Sequence, residues 1–167
     1  VHQLLDQTET ETAKNRESLL AIIDWTVTVE AEFWKCVIFD AIGDAARSSG
    51  VSLIELISKE ISPNRPEHTR FARVTAPELV VDETDPVARL ELIDFLAHCP
   101  WETSKSPLSN FLRMDDPEHV RTALRSIGAH ANDDVAGLIL DVWPRYSPSL
   151  RREALDVLCS TAPRAQR

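Results

Sequence analysis

We predict a helix start in the stretch Asp116-Pro117-Glu118-His119-Val120-Arg121-Thr122-Ala123-Leu124, and the same start recurs on either side of it. The prolines of the three copies, Pro86, Pro117 and Pro148, stand 31 residues apart, and each follows an Asp or a Ser. Asp and Ser cap the free N–H groups of a first helical turn, and Pro suits the first helical position because its missing N–H has no partner there. A fixed period of this size is typical of stacked supersecondary units.

The apolar residues of the three copies keep the same register. Six, seven and ten residues after each proline stand residues that we expect to line one core: Leu92, Ile93, Leu96, Ala123, Leu124, Ile127, Ala154, Leu155 and Leu158. Further apolar helices lie between the copies, so each unit is a pair of antiparallel helices. The predicted fold class is all-α, a right-handed α-solenoid of about five helix pairs.

Helices are predicted over 30–47, 52–60, 67–81, 86–98, 107–114, 117–129, 133–143 and 148–160, with a loop over 100–106. The whole chain, 1–167, is expected to form one helical-repeat domain, with divergent helix pairs over 1–62 and regular repeats over 67–160. Trp34 and Trp143 fall on apolar helical stripes and are expected in the core. The three cysteines, Cys36, Cys99 and Cys159, form no paired motif and are expected to be small buried residues.

The composition excludes some classes of protein. The chain has 27 acidic and 18 basic residues and a formal net charge of −9. A general nucleic-acid binder needs a basic face to neutralise phosphates, so this balance argues against that function. The sequence also has no apolar run long enough for a membrane span and no signal-peptide pattern.

The repeated unit resembles HEAT repeats of the short bacterial type. The likeness rests on the stretch 116–124 quoted above and on Ser147-Pro148-Ser149-Leu150-Arg151-Arg152-Glu153-Ala154-Leu155, with their capped prolines, their Arg and their small Ala. The patterns of tetratricopeptide and ankyrin units are missing. The resemblance implies a non-catalytic scaffold that binds a protein or joins neighbouring domains of the same chain.

A narrower resemblance concerns the segments 34–45 and 135–148, which look like HEAT arrays inside large bacterial multidomain proteins. In those proteins a β-propeller resembling a membrane-bound sugar dehydrogenase precedes the array, and a c-type cytochrome domain follows it. The resemblance implies an alternative function: a segment of a haem-binding, electron-transferring dehydrogenase whose chemistry lies outside this chain. Such a parent would be exported or periplasmic. The Cys-x-x-Cys-His motif of haem c is missing here, so no cofactor is predicted in this segment.

No catalytic or metal-binding residue is predicted. The five histidines form no His-Glu-x-x-His motif, and a metal site would need residues from different units, such as His98 and Cys99 with His130. The acidic pairs Asp115-Asp116 and Asp133-Asp134 stand at helix starts, where capping accounts for them better than acid–base chemistry does.

Partner-binding residues are predicted on the second helix of each unit. Arg89, Arg121 and Arg152 follow the repeated prolines by three or four residues and would form a ladder on the concave side. The ladder either pairs with acidic residues of the neighbouring unit or docks an acidic partner. Trp101 follows Pro100 in the predicted loop, where it either anchors a partner or covers the gap between adjacent units.

The two ends of the chain suggest a segment of a larger protein. The sequence begins with Val rather than Met, and its last predicted helix keeps the apolar register of the internal units instead of a polar cap. We therefore expect the outer side of the helix over 148–160 to expose apolar groups.

Overall fold

The computed structural model describes residues 32–48, 50–57 and 70–160, together with positions 18, 21, 22, 25 and 26. Regular structure in these ranges is helical and includes no strand, which confirms the predicted all-α class. The α-helices are α1 (Glu32–Ser48), α2 (Leu53–Leu56), α3 (Ala76–Asp82), α4 (Pro86–Phe95), α5 (Trp101–Phe111), α6 (Pro117–Gly128), α7 (Asp134–Val142) and α8 (Pro148–Ser160).

The three proline-led helix starts are capped as the sequence predicts. Asp85 accepts hydrogen bonds from two backbone N–H groups in the first turn of α4, both at 2.9 Å. Asp116 accepts one from the first turn of α6 at 2.9 Å, and Ser147 accepts one from the first turn of α8 at 3.4 Å. Because the caps satisfy N–H groups that have no partner inside the helix, they fix where each of these helices begins.

Four helices form a row in which each contacts the next. Helix α1 contacts α4, α4 contacts α6, and α6 contacts α8. The intervening helices α3 and α5 contact each other, while α3 also lies against α4 and α5 against α6. The apolar core runs between these layers, and its largest fully buried side chains include Phe39, Phe95, Leu108, Leu124 and Ile139.

Seven of the nine predicted core residues are buried, and the two exceptions lie on α8. Leu155 is 48% exposed, so its predicted burial is wrong, and Leu158 is only partly buried. The reason is position, because α8 is the last helix that the structure describes and no further described helix packs over that side. The exposed Leu155 fits the expectation that the outer side of this helix presents apolar groups.

The helix predicted over 107–114 and the loop predicted over 100–106 are wrong. Helix α5 begins at Trp101, directly after Pro100, and Pro107 lies inside it. An internal proline removes one helical hydrogen bond. Pro107 is buried together with Leu108 and Phe111, so packing against the core outweighs that loss.

The part of the chain before α4 is described only in pieces. Of the helix predicted over 52–60 the structure describes α2 and Ile57, and of the helix predicted over 67–81 it describes Arg70, a π-helical turn, Phe71–Thr75, and α3. Residues 58–69 and most of 1–31 lie outside the described part of the chain. The divergent helix pairs predicted there therefore stay predictions.

Two predicted core residues and one cysteine lie closer to solvent than expected. Trp34 is 56% exposed, because Cys36 and Phe39 occupy the inward face of α1. Trp143 is partly buried, with the guanidinium of Arg151 5.9 Å from its ring centre. Cys36 and Cys99 are buried as expected, whereas Cys159 is exposed on the outer side of α8.

Candidate functional site

The three arginines of the predicted ladder have different surroundings. Arg89 donates to the backbone carbonyl of Glu83, with its Nε at 2.8 Å. Arg121 Nε lies 2.8 Å from Glu153 on the next helix of the row, and the same guanidinium also pairs with Glu118. The hydrogen bond to Glu153 is the main reason why the pKa of Arg121 lies above its ordinary value. Arg121 therefore pairs with an acid of the neighbouring unit, which is one of the two uses that the sequence leaves open.

Arg152 differs from the other two because it is exposed on α8. Within the residues that the structure describes, its guanidinium forms no ion pair and no hydrogen bond. It lies on the helix after the one that carries Arg121, and Arg121 itself forms an ion pair with Glu153. The ladder is thus not a row of three equivalent cations, and Arg152 is the member that faces solvent.

Trp101 lies at the junction of two units. It is the first residue of α5, and its ring centre is 5.2 Å from that of His130, which follows α6. Trp101 is only partly exposed. This placement is the one expected of a side chain that covers the gap between adjacent units, and a contact of Trp101 with a partner stays a prediction.

A buried histidine contacts polar side chains of α1 from the short 3-10 helix that follows α4, Leu96–His98. The side chain of His98 is 3% exposed, and its Nε2 lies 3.3 Å from Asp40 Oδ1 and 3.4 Å from Asp44 Oδ1. Its Nδ1 lies 3.0 Å from a guanidinium nitrogen of Arg47, which also donates to the carbonyl of Ala97. A guanidinium only donates, so Nδ1 must accept, and the proton on Nε2 then points to the carboxylates.

The imidazole of His98 fits because α1 has no side chain where the ring lies. A Cβ built on Gly43 would come within 2.4 Å of His98 Nδ1, closer than any real contact of this kind. The glycine is therefore required by the approach of α4 rather than by its own backbone conformation. Sequence reasoning missed this site, although an Asp, an Asp one turn later and an Arg after that on one helix were a visible signal.

The surroundings of His98 leave no free ring nitrogen for chemistry. A general base needs an unoccupied lone pair, and here Nδ1 already accepts from Arg47. A metal on Nε2 would move the ring proton to Nδ1, where it would face the donating guanidinium. Among the described residues, no group of three or more His, Cys, Asp or Glu side chains is placed to hold a metal ion.

A cleft of about 510 Å³ lies beside this histidine, where the C-terminal ends of α1, α4 and α6 meet. His98 and His130 line it together with Arg47, Arg73 and Glu102. His130 donates from Nε2 to a backbone carbonyl of the preceding unit at 3.0 Å, and burial lowers the pKa of its imidazole. His130 therefore joins two successive helix ends in its neutral form.

A smaller polar cleft of about 360 Å³ shares His98 and Arg47 and extends along the row of helices. Asp94 of α4 and Arg125 of α6 form an ion pair in it at 3.4 Å. Burial is the largest cause that raises the pKa of Asp94, and the nearby Arg125 partly opposes it. This pair links two neighbouring helices of the row, as the Arg121–Glu153 pair links the next two.

No known protein-family model, curated protein or solved structure shows a significant match to this chain. The resemblance to HEAT arrays and to their multidomain parents therefore stays a prediction. None of the helices in the described ranges has the length and apolar character that a membrane crossing requires.

Proposed function

We propose that this chain is a non-catalytic α-solenoid of HEAT type that serves as a protein-interaction scaffold or as a spacer between domains. One observation carries the proposal: contacts between equivalent parts of the molecule recur at about one period along the chain. Ser126 Oγ donates to the carbonyl of Ile93 at 2.8 Å, and the Tyr146 hydroxyl donates to the carbonyl of Leu112 at 3.3 Å. These pairs are 33 and 34 residues apart.

The surface ion pairs have the same span and support the same proposal. Arg125 reaches Asp94 across 31 residues, and Arg121 reaches Glu153 across 32. Lys105 reaches Asp134 at 2.6 Å across 29 residues. In a solenoid each unit contacts only its neighbours, so contacts of nearly constant sequence separation are the expected pattern.

A scaffold without chemistry of its own is supported by the polar residues of the described part. Several of its acidic residues cap helices, as Asp85 and Asp116 do, or pair with an arginine of the neighbouring helix, as Glu153 does. The buried imidazole of His98 has both ring nitrogens engaged. These side chains hold neighbouring helices together.

The proposal is tested by removing one whole unit. Deletion of residues 117–147 joins Asp116 directly to Pro148, so that α8 takes the place of α6 against α4. In a solenoid this variant keeps its register and folds, with a lower melting temperature because one interface between neighbours is lost. Circular dichroism should show unchanged helicity per residue and a cooperative thermal transition.

A matched control removes residues 117–132, half a unit, so that α7 and not α8 follows α5 and lies next to α4. This variant should lose cooperative unfolding, since the apolar positions of α7 are those of the intervening helices and do not match the surface of α4. If the deletion of 117–147 is as disruptive as the control, the units are not interchangeable and the solenoid proposal is wrong.

A further inference from the structure

The two clefts beside His98 share one wall. Arg47, Ala97 and His98 line both the cleft of about 510 Å³ and the cleft of about 360 Å³. A guanidinium nitrogen of Arg47 donates to the Ala97 carbonyl at 3.1 Å and lies 3.0 Å from His98 Nδ1. These two contacts hold the C-terminal turn of α1 against the 3-10 helix that follows α4, and they keep the clefts apart.

The contact between Arg47 and His98 exists only while the imidazole is neutral. A neutral imidazole has one acceptor nitrogen, and here Nδ1 uses it to accept from the guanidinium. A protonated imidazole donates from both nitrogens, so two donors and two cations would then face each other 3.0 Å apart. Arg47 would have to move, and its side chain is 46% exposed, so it can turn to solvent without opening the core.

A protonated His98 would still be held on its other side. Its Nε2 lies 3.3 Å from Asp40 Oδ1 and 3.4 Å from Asp44 Oδ1. Around the neutral ring these two carboxylates face the single positive charge of Arg47, so the cluster has one negative charge in excess. Nearby carboxylates favour the charged form of a histidine. The cluster is therefore arranged to accept a proton on the ring and to release the guanidinium.

A second histidine, His130 after α6, lies close to this cluster. Burial is the largest cause that lowers its pKa, and the charges of Arg47 and His98 lower it further. His130 consequently stays neutral to lower pH than an ordinary histidine, and it competes weakly with His98 for a proton.

The remaining charged residues that line the two clefts are balanced in sign. In the smaller cleft, Asp94 of α4 and Arg125 of α6 form an ion pair with each other at 3.4 Å. The larger cleft adds Arg73 and Glu102, which carry opposite charges. The carboxylates and the guanidinium of α1 are thus the charges that decide whether the buried ring takes up a proton.

We propose that His98 and Arg47 form a proton-controlled latch between α1 and the end of α4. With His98 neutral, Arg47 is bound to the 3-10 helix and separates the two clefts. With His98 protonated, the ring pairs with Asp40 and Asp44, Arg47 turns to solvent, and the two clefts join. The latch goes beyond the proposed scaffold function and does not depend on it, since its residues lie on α1 and on the turn after α4.

NMR spectroscopy of the whole chain between pH 8 and pH 5 tests the latch, because histidines change charge in this range. The ring nitrogen signals of His98 report its protonation, and the guanidinium signals of Arg47 report its hydrogen bonds. Both sets should change with one common midpoint. At the upper pH the ring should be the tautomer protonated on Nε2.

The coupling between the two residues is tested by substitution. Arg47→Met keeps an apolar stem but removes the charge and the donor, so it should raise the titration midpoint of His98 by roughly 1 pH unit. Asp40→Asn should lower the midpoint. Arg113→Met is the matched control, because Arg113 bonds to Ser109 on its own helix, and it should leave the midpoint unchanged.

The proposal is overturned if His98 stays neutral until the protein unfolds, or if the Arg47 signals do not change when His98 is protonated. A midpoint that Arg47→Met leaves unchanged overturns it equally. If Asp40→Asn does not fold, Asp44→Asn takes its place, since the carboxylate of Asp44 is 70% exposed. These outcomes do not affect the proposed solenoid, which the deletion of residues 117–147 tests separately.

Discussion

Helix α4 is packed between two neighbours, and the two interfaces use different chemistry. Toward α6 the contact is mainly aliphatic, with one hydrogen bond from Ser126 to the carbonyl of Ile93 and one ion pair between Asp94 and Arg125. Toward α1 it contains the stacked rings of Phe39 and Phe95, with centres 6.4 Å apart, and the buried His98 with its two carboxylates. The aliphatic positions of the first interface recur in the next helix of the row, and the aromatic and histidine contacts of the second do not recur in the described helices. Helix α1 therefore lies in the same row as α4 and α6, although its contacts with α4 do not follow the pattern of the repeat.

The largest expected effect separates the two interfaces by their packing. Phe39→Ala empties a fully buried aromatic site between α1 and α4, and we expect it to lower the free energy of unfolding by about 3–5 kcal/mol. Leu124→Ala, in the recurring interface, should cost about 2–5 kcal/mol. Urea unfolding followed by circular dichroism measures both. A loss below about 1 kcal/mol at either site would mean that the surrounding core is not packed as described.

A smaller effect is expected from the glycine beneath His98. Gly43→Ala would force the imidazole away from α1, which we expect to destabilise the protein by about 1–3 kcal/mol. Gly137→Ala is the control, since a Cβ there meets nothing within 4 Å and alanine is the better helix former. That variant should gain about 0.5–1 kcal/mol. Equal effects of the two substitutions in thermal melts would contradict the close approach of α1 and α4.

The free energy of unfolding should depend on pH because of His130, which lies in the recurring interface. Burial holds the pKa of His130 below its ordinary value of about 6.5, so the folded state binds fewer protons than the unfolded state just below that pH. The stability contributed by the neutral imidazole is thus present above pH 6.5 and is lost as the pH falls. His130→Gln keeps a donor for the carbonyl of Leu96 but does not titrate.

The measurement is urea unfolding of both proteins at pH 7.5 and pH 5. The stability difference between wild type and His130→Gln should shrink on acidification. A difference that stays constant between the two pH values would show that His130 does not titrate differently in the two states.

The smallest expected effect compares two arginines one period apart. Arg121→Gln removes the ion pair to Glu153 and should lower the melting temperature by roughly 1–4 °C. Arg152→Gln removes an exposed cation and should leave the melting temperature unchanged. Both effects are read by differential scanning calorimetry at low salt, and high salt should reduce the first. An equal drop for both variants would mean that Arg152 is also held within the fold.

The sequence predicts the recurring part of the fold because its signals are local. The Asp or Ser cap, the proline and the apolar positions after it lie within one helix, so α4, α6, α8 and seven core residues follow from them. Pro107 gave the opposite signal, and only its packing in the core shows why α5 continues through it. Trp34 was misplaced because both faces of α1 carry apolar residues.

The candidate sites were less predictable because their residues are distant in sequence. The sequence period predicts that Arg121 could pair with the next unit, but only as one of two alternatives. The cluster around His98 needs α1 to lie against α4, and Arg47 and His98 are 51 residues apart. No local pattern encodes that distance. The exposure of Leu155 likewise depends on whether another helix packs over α8, which the sequence of α8 itself does not encode.

The nearly constant span of the contacts between units bears on how the chain folds. Hydrogen bonds and ion pairs between units close loops of 29 to 34 residues, so each unit adds to its neighbour at a similar entropic cost. The 51-residue loop that brings α1 to α4 costs only about 0.4 kcal/mol more. In the proposed solenoid we therefore expect folding to nucleate in any unit and to spread in either direction.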